Sequence, residues 1–524
     1  MMCESCESRW EENPSSGNRT AQQRRVAEKG RWLLGRREFL TSTGLAGGTI
    51  VWGPLAATEA PIPAEEKQEK PVLPPREKKP ARIWTVFLYP PEEVVLAGKM
   101  EDTWAVHQWF TWPGGQFQYA EQQKKFTDQI QKMAESLGLE MTIRPEPIYQ
   151  KAKVEEFIAQ AKESGLDAVL VVNFYNTLSS AAYRIATEAA PTAIVYHALG
   201  ANHQLPPEPL RKAEGFYYIH SMENFAEIER GLRAVRARKM LAQSRLLRVA
   251  GGVRQMTQDV EKTLGVEIVA IPAEEFNNTF DAIEATPAIQ QEAMAFKQQA
   301  VRVVDVADEA FVDAIRAHHA VQRIIRRYGA DAITIQCLML KHRKPCYSFA
   351  WHNGQLFPCG CENHLDPTLT LMLGRWLLDR AGFQHNPEFD TSENLYFGAH
   401  CTCAWKLHGP DGPSQEFMVR PFFHQLPKTP ALDVQWKPGE PVLLVRYNVG
   451  KDSLCCWRGR VIGSPGCPPT GGCATRVLVE LEGLEDVCQA YAGPHPVLFC
   501  GNRSDARRFK AFARMYRLAW IGNT

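Results

Sequence analysis

The segments Ala152-Lys-Val-Glu-Glu-Phe-Ile-Ala-Gln-Ala-Lys-Glu-Ser164, Ala168-Val-Leu-Val-Val172, Thr177 to Ala189 and Thr192-Ala-Ile-Val-Tyr196 decide the fold class. They read as helix, apolar strand, helix, strand. Apolar runs alternating with helices argue for a parallel sheet covered on both faces. The pattern extends in both directions. Upstream, Arg82 to Leu88 is a strand, Tyr119 to Leu137 a helix closed by Gly138, and Glu140 to Arg144 a strand. Downstream, Ser221 is expected to cap a long helix with Phe225, Ile228, Leu232 and Val235 on one face. Leu246 to Ala250, Glu267 to Ile271 and Ala332 to Ile335 supply a second strand set, with helices near 288–304 and 308–328. The chain therefore reads as α/β. Two Rossmann-like α/β units, 81–220 and 221–345, precede a mixed α/β C-terminal domain, 346–524.

The balance of the composition is globular. Of 524 residues, 44% are hydrophobic and 23% charged, enough for about three domains. Sixty basic residues face 59 acidic ones, so the net charge of +1 gives no general drive toward nucleic acid or acidic membrane. No apolar run reaches the length of about 18 residues that a membrane-spanning helix needs. Gly251-Gly252 follows a strand but lacks the Gly-x-Gly-x-x-Gly spacing, and there is no Walker loop, so no nucleotide cofactor is expected.

The first sixty residues read as an address. Gly35-Arg36-Arg37-Glu38-Phe39-Leu40 precedes a soft apolar stretch from Thr41 to Ala57. A basic region, an apolar region and a small-residue exit in that order resemble the signal of the bacterial twin-arginine pathway. That resemblance implies engagement with the twin-arginine export machinery and a periplasmic or otherwise exported protein, cytoplasmic if the signal does not function. Residues 61–80 hold six prolines and nine charges and read as an extended linker.

Chemistry-bearing residues crowd the last third. Twelve of the 14 cysteines lie between Cys337 and Cys500. Some, among Cys455, Cys456, Cys467 and Cys473, are candidates for disulfides. Cys359-x-Cys361 and Cys401-x-Cys403 offer four thiols, though the spacing is shorter than that of structural zinc sites. Buried thiols or a disulfide are the alternatives. Glu362 follows Cys361 and precedes a helix with Asp366 as its expected cap, Pro367 at its first position and Gly382 as its stop. Pro387-Glu388-Phe389-Asp390 comes next, then the strand Asn394 to Cys403, and later His495 opens Pro496-Val-Leu-Phe-Cys500. The aromatic segment Trp104 to Trp112 suits either a sugar ring or a core.

Ile335-Gln336-Cys337, Cys361-Glu362, Phe389-Asp390 and His495-Pro-Val-Leu-Phe-Cys-Gly501, in that order, resemble the L-fucose isomerase superfamily, to which L-arabinose isomerase is also related. The resemblance spans about residues 81–524, with specific motifs only in the last 190 or so. It implies a divalent ion, usually Mn²⁺, held by Glu362, Asp390 and His495. It implies an aldose–ketose isomerase in which Glu362 and Asp390 move a proton between C1 and C2 through a cis-enediol. Gln336, His400, Thr402 and Trp109 are the residues placed near the sugar. A homo-oligomer with a shared site is implied as well, the Trp104–Trp112 segment being the candidate lender. The chain departs from the family at Asn363-His364, where a second carboxylate is common. An exported sugar-binding protein, or a lyase or hydrolase on the same metal platform, are the alternative readings.

Overall fold

The computed structural model describes residues 71–100, 102–103, 116–201, 204–422 and 427–523. The twin-arginine stretch and Trp109 lie outside the described residues. Strands β1 (Arg82–Leu88), β2 (Glu140–Ile143), β3 (Ala168–Asn173), β4 (Ala193–Ala198) and β5 (Phe216–Ser221) form one parallel sheet, in the order β2-β1-β3-β4-β5. That is the order of a doubly wound sheet. β3 and β4 are buried along their whole length, which is why their sequence is continuously apolar.

The second sheet uses β6 (Arg245–Ala250), β7 (Thr257–Val260), β8 (Glu267–Pro272), β10 (Ala332–Ile335) and β11 (Cys359–Cys361), while β9 (Arg302–Val303) leaves for a small three-stranded sheet. Its order is β11-β10-β6-β8-β7, parallel except at β7. Beyond it, β12 (Gly382–Gln384), β13 (Asn386–Asp390), β14 (Leu395–His400), β17 (Pro441–Asn448), β18 (Ser453–Gly463), β19 (Thr475–Leu481), β20 (Val497–Cys500) and β21 (Ala519–Gly522) make an eight-stranded sheet, antiparallel except where β21 joins β18. β15 (Phe417–Pro421) and β16 (Pro430–Val434) complete the small sheet with β9. The architecture is thus mixed α/β, with two largely parallel sheets and a largely antiparallel C-terminal one.

Four local readings change. The helix expected to stop at Gly382 ends at Leu378, with Asp379 left-handed, and Gly382 opens β12. Ser221 ends β5 rather than capping a helix; the helix starts at Phe225 after Asn224, with Ile228, Leu232 and Val235 buried as expected. Asp366 lies inside the first turn of the helix Leu365–Leu378, whose N-cap is His364. Its carboxylate is taken by Arg446 instead. Residues 71–80 run extended, and they are tied down: the backbone of Val72 and Leu73 donates to the Arg327 carbonyl, and Lys78 pairs with Asp331 at 2.8 Å.

One close approach positions everything downstream. Gly360, the middle residue of β11, faces the helix Leu365–Leu378, and a Cβ there would fall 1.9 Å from Thr368 Oγ1 and 2.9 Å from its Cβ. Only glycine lets this helix lie against the strand end that carries Cys361 and Glu362. Gly360→Ala should therefore destabilise the fold by about 1–3 kcal/mol through overpacking, read as a lower urea midpoint. An unchanged midpoint would mean the helix moves freely.

His197 gives a second test. It is fully buried on β4, where its Nδ1 accepts from Asn173 at 2.8 Å and its Nε2 has no hydrogen-bond partner among the described residues. Burial, with His220 nearby, lowers its pKa to about 3. The folded value lies below the unfolded one, so its contribution to stability is complete above the unfolded pKa of about 6.5 and is lost as pH falls toward about 3. Stability should fall with acidification by up to about 1.4 kcal/mol per pH unit for this group. In His197→Gln the slope between pH 6 and 4 should shrink by one proton; an identical slope would refute the assignment.

Candidate metal centre

β10 and β11 are parallel neighbours, with Ile335 opposite Cys361, and both end at the same edge of the second sheet. In open α/β sheets, ligands bind in the crevice beyond such carboxyl ends. Here the crevice is closed by the C-terminal sheet. β14 brings His400, the start of β13 brings Asn386 and Glu388, and the residues before β20 bring His495. The cavity between them has a volume of about 210 Å³ and is lined by Glu362, His400, Asn386, Glu388, Cys401 and Phe422 among others.

Glu362, His400 and His495 converge, each offering a ligand atom within 4.8 Å of the others. Glu362 Oε1 lies 3.5 Å from His400 Nε2, and Oε2 lies 3.5 Å from His495 Nε2. His400 is 1% exposed, and its Nε2 reaches the Glu362 carboxylate only across a long 3.5 Å contact, which leaves this buried nitrogen weakly satisfied. One carboxylate and two imidazoles around one point form a donor set that can hold a divalent metal ion.

The backbone is bent to make this possible. Glu362, Asn363 and His495 have φ of 61°, 54° and 58°, the left-handed region that non-glycine residues rarely adopt. Each costs of order 1–2 kcal/mol. The turn is held by several bonds: Asn363 N–H donates to the Ile335 carbonyl at 3.1 Å, and Arg248 Nε to Asn363 Oδ1 at 3.0 Å. Buried Gln384 grips Cys361 on both sides, accepting from its N–H at 2.8 Å and donating to its carbonyl at 3.2 Å. On the other side, Arg446 binds the Pro494 carbonyl, Asn448 and Asp366, fixing the approach to His495. His495 Nδ1 meets His364 Nδ1 at 2.8 Å, a partner that orients the ring while Nε2 faces Glu362.

Electrostatics follow from this packing. Burial, reinforced by His400, lowers the pKa of His495 to about 4, so its ring is neutral near pH 7 and able to ligate. His400 beside Glu362 holds that carboxyl below its usual range. Burial opposes a charge on His400, yet the adjoining Glu362 carboxylate and Cys361 push its pKa up to about 9.

The other expected site residues fall differently. Asp390 lies outside the group. It stands at the exposed end of β13, and its Oδ1 accepts from Ser392 N–H at 3.1 Å, Ser392 Oγ at 2.7 Å and Glu393 N–H at 3.0 Å, which closes the turn into β14. Asn386, Glu388 and Asp390 share one face of the strand, but each pair of residues advances it by about 6.6 Å, and the cavity reaches only the first two. Gln336 does not line the cavity either; its Oε1 accepts from Gly251 N–H at 2.8 Å and secures the Gly251-Gly252 turn. Thr402 is buried behind His400, with Oγ1 3.4 Å from Nδ1, and supports that ring. His400, expected at the substrate, is a member of the donor group. Glu388, Asn386 and Gln384 carried no motif; period-two alternation along β13 was the available signal for the first two.

Gln384→Leu removes the grip on the Cys361 backbone, leaving its buried N–H without the Gln384 acceptor and its carbonyl with only the long His364 N–H bond of 3.4 Å. It should cost about 1–3 kcal/mol in stability and should also weaken divalent-ion binding measured by calorimetry. Wild-type affinity in a destabilised variant would show that the turn does not depend on Gln384.

Searches with family models and among curated proteins find no match for this chain, so its reading rests on the centre itself: a half-buried Glu362 and two buried histidines fit to hold a metal ion.

Proposed function

We propose that the chain is a metal-dependent aldose–ketose isomerase resembling the L-fucose isomerase superfamily. The observation that carries this is the convergence of Glu362, His400 and His495, of which Glu362 and His400 line one small cavity together with a second carboxylate, Glu388. Glu362, His400 and His495 would hold the ion, Mn²⁺ or another divalent cation of the first transition row. The nitrogen-rich set replaces the Glu362–Asp390–His495 set that the sequence implies, because Asp390 is engaged in its own turn. When bound, the ion would supply polarisation of a carbonyl, which acidifies the neighbouring C–H.

The protein's own groups divide the remaining work. Glu362 is fixed between two imidazoles and serves as a ligand. Glu388 lines the cavity without being a member of that group, so it is the carboxylate placed to take the C2 proton and return it to C1. The Asn386 amide can both donate to and accept from vicinal hydroxyls. Phe422 offers an apolar wall to the C–H face of the substrate. The volume of about 210 Å³ lies below the roughly 300–1,000 Å³ of drug-sized sites, which favours a small open-chain sugar. Export through the twin-arginine route and a homo-oligomeric state belong to the same reading, and rest on the sequence motif and the resemblance.

Solvent-deuterium exchange into pentoses and 6-deoxyhexoses tests it, with Mn²⁺, Zn²⁺ or Fe²⁺ added to chelated protein. Exchange at the carbon-bound position should require metal. Glu388→Gln should lower it about 10²–10⁴-fold with metal affinity retained, whereas Glu362→Gln should lose metal binding. If no aldose exchanges with any of the ions, the isomerase reading fails, and sugar binding without catalysis takes its place.

A further inference from the structure

Five cysteines from five separate segments gather behind the Glu–His–His group. Cys337 follows β10, Cys346 opens the helix Cys346–Gly354, Cys361 ends β11, Cys401 follows β14 and Cys473 precedes β19. Cys337 Sγ lies 3.0 Å from Cys361 Sγ, and Cys346 Sγ lies 3.5 Å from Cys401 Sγ. Cys401 also hydrogen-bonds to Cys361 and Cys473. All five are buried and none is in a disulfide. Cys361, Cys401 and His400 form a second group whose ligand atoms lie within 4.8 Å of one another.

The cluster is not the pair of Cys-x-Cys motifs that the sequence offers, since Cys359 and Cys403 stand outside the group. Nor does a disulfide account for it. A disulfide satisfies one partner, whereas Cys401 meets Cys346, Cys361, Cys473 and the His400 Nδ1, the last at 3.7 Å. A tetrahedral ion with Zn–S of about 2.3 Å and Zn–N of about 2.05 Å places its ligands about 3.8 Å (S···S) and about 3.6 Å (S···N) apart. The 3.7 Å separation of Cys401 Sγ and His400 Nδ1 falls close to the second value, and Cys346, 3.5 Å from Cys401, flanks the set from outside.

We propose that Cys361, Cys401 and the Nδ1 side of His400, with Cys473 hydrogen-bonded to Cys401 beside them, form a second, thiolate-rich site for a thiophilic divalent ion such as Zn²⁺. His400 then stands between two donor sets, Nε2 toward Glu362 and Nδ1 toward Cys401. Soft thiolates select Zn²⁺, while the Glu–His–His set also accepts harder ions. The inference does not depend on the isomerase reading, because it is read from metal–sulfur bonding rather than from turnover.

The test uses the full chain, reduced and chelated, titrated anaerobically with Co²⁺. A sulfur-to-cobalt charge-transfer band in the near ultraviolet is expected. Glu362→Gln and Cys500→Ser should keep it, and Cys361→Ser and Cys401→Ser should lose it. Absence of the band in the wild type overturns the proposal, as does a band that disappears in Glu362→Gln and survives in Cys401→Ser. Should the cysteine variants fail to fold, X-ray absorption on the Zn²⁺-loaded wild type decides: sulfur at about 2.3 Å supports the site, and a shell of nitrogen and oxygen alone overturns it. Alkylation and mass spectrometry of freshly isolated protein showing Cys337–Cys361 or Cys346–Cys401 already joined would also overturn it.

Discussion

The left-handed turn at Glu362-Asn363 is the constraint on which the centre depends. It places a carboxylate at the mouth of two parallel strands, and two consecutive residues there hold a conformation that side chains disfavour. The cost, of order 1–2 kcal/mol per residue, is offset by bonds from four directions: the Ile335 carbonyl, Arg248, Gln384 and the helix seated against Gly360. The opposing His495 is treated in the same way, with its own left-handed backbone and with Arg446 on the preceding carbonyl. Strain of this kind persists where surrounding structure over-determines the backbone, and it marks places where side-chain direction matters more than local stability.

Burial then sets the chemistry. Around the cavity and the donor group stand three imidazoles, two carboxylates and several thiols; His400, His495 and the thiols are buried, Glu362 and His364 half-buried, and Glu388 exposed. Desolvation favours neutral forms, so His495 and His364 are pulled down. His400 is the exception, because Glu362 and the thiols around it favour its charged form over the effect of burial. A cation of either kind, a proton or a metal ion, meets the same need for positive charge among these groups. That shared need explains why one ring lies between an oxygen-bearing and a sulfur-bearing donor set.

The fold class was legible because buried parallel strands must be apolar along their length. Ala168–Asn173 and Ala193–Ala198 show this directly, and the glycine stops at Gly138 and Gly329 mark helix ends in the left-handed conformation. Ser221 misled because a Ser before an apolar helical face has the look of a cap, whereas β5 runs through it and Asn224 takes that place. The centre was legible in part. Glu362 and His495 carry motifs, but Asp390 was named by the resemblance at Phe389-Asp390, and strand periodicity leaves it on the same face as Glu388.

Sequence alone determined the alternation of strand and helix, the placement of Glu362 before a helix and the crowding of thiols in the last third. These follow from local rules of burial, spacing and capping. Tertiary structure alone decided which side chains meet. His400 joins Glu362 because β14 pairs with β19 and β13 at one edge of the C-terminal sheet, and that edge closes over the ends of β10 and β11. Asp390 is excluded because it stands beyond the cavity and the next turn takes its Oδ1, and Gln336 because a backbone amide 85 residues away takes its Oε1. Convergence from distant segments depends on how sheets pack, and no local spacing in the chain encodes it.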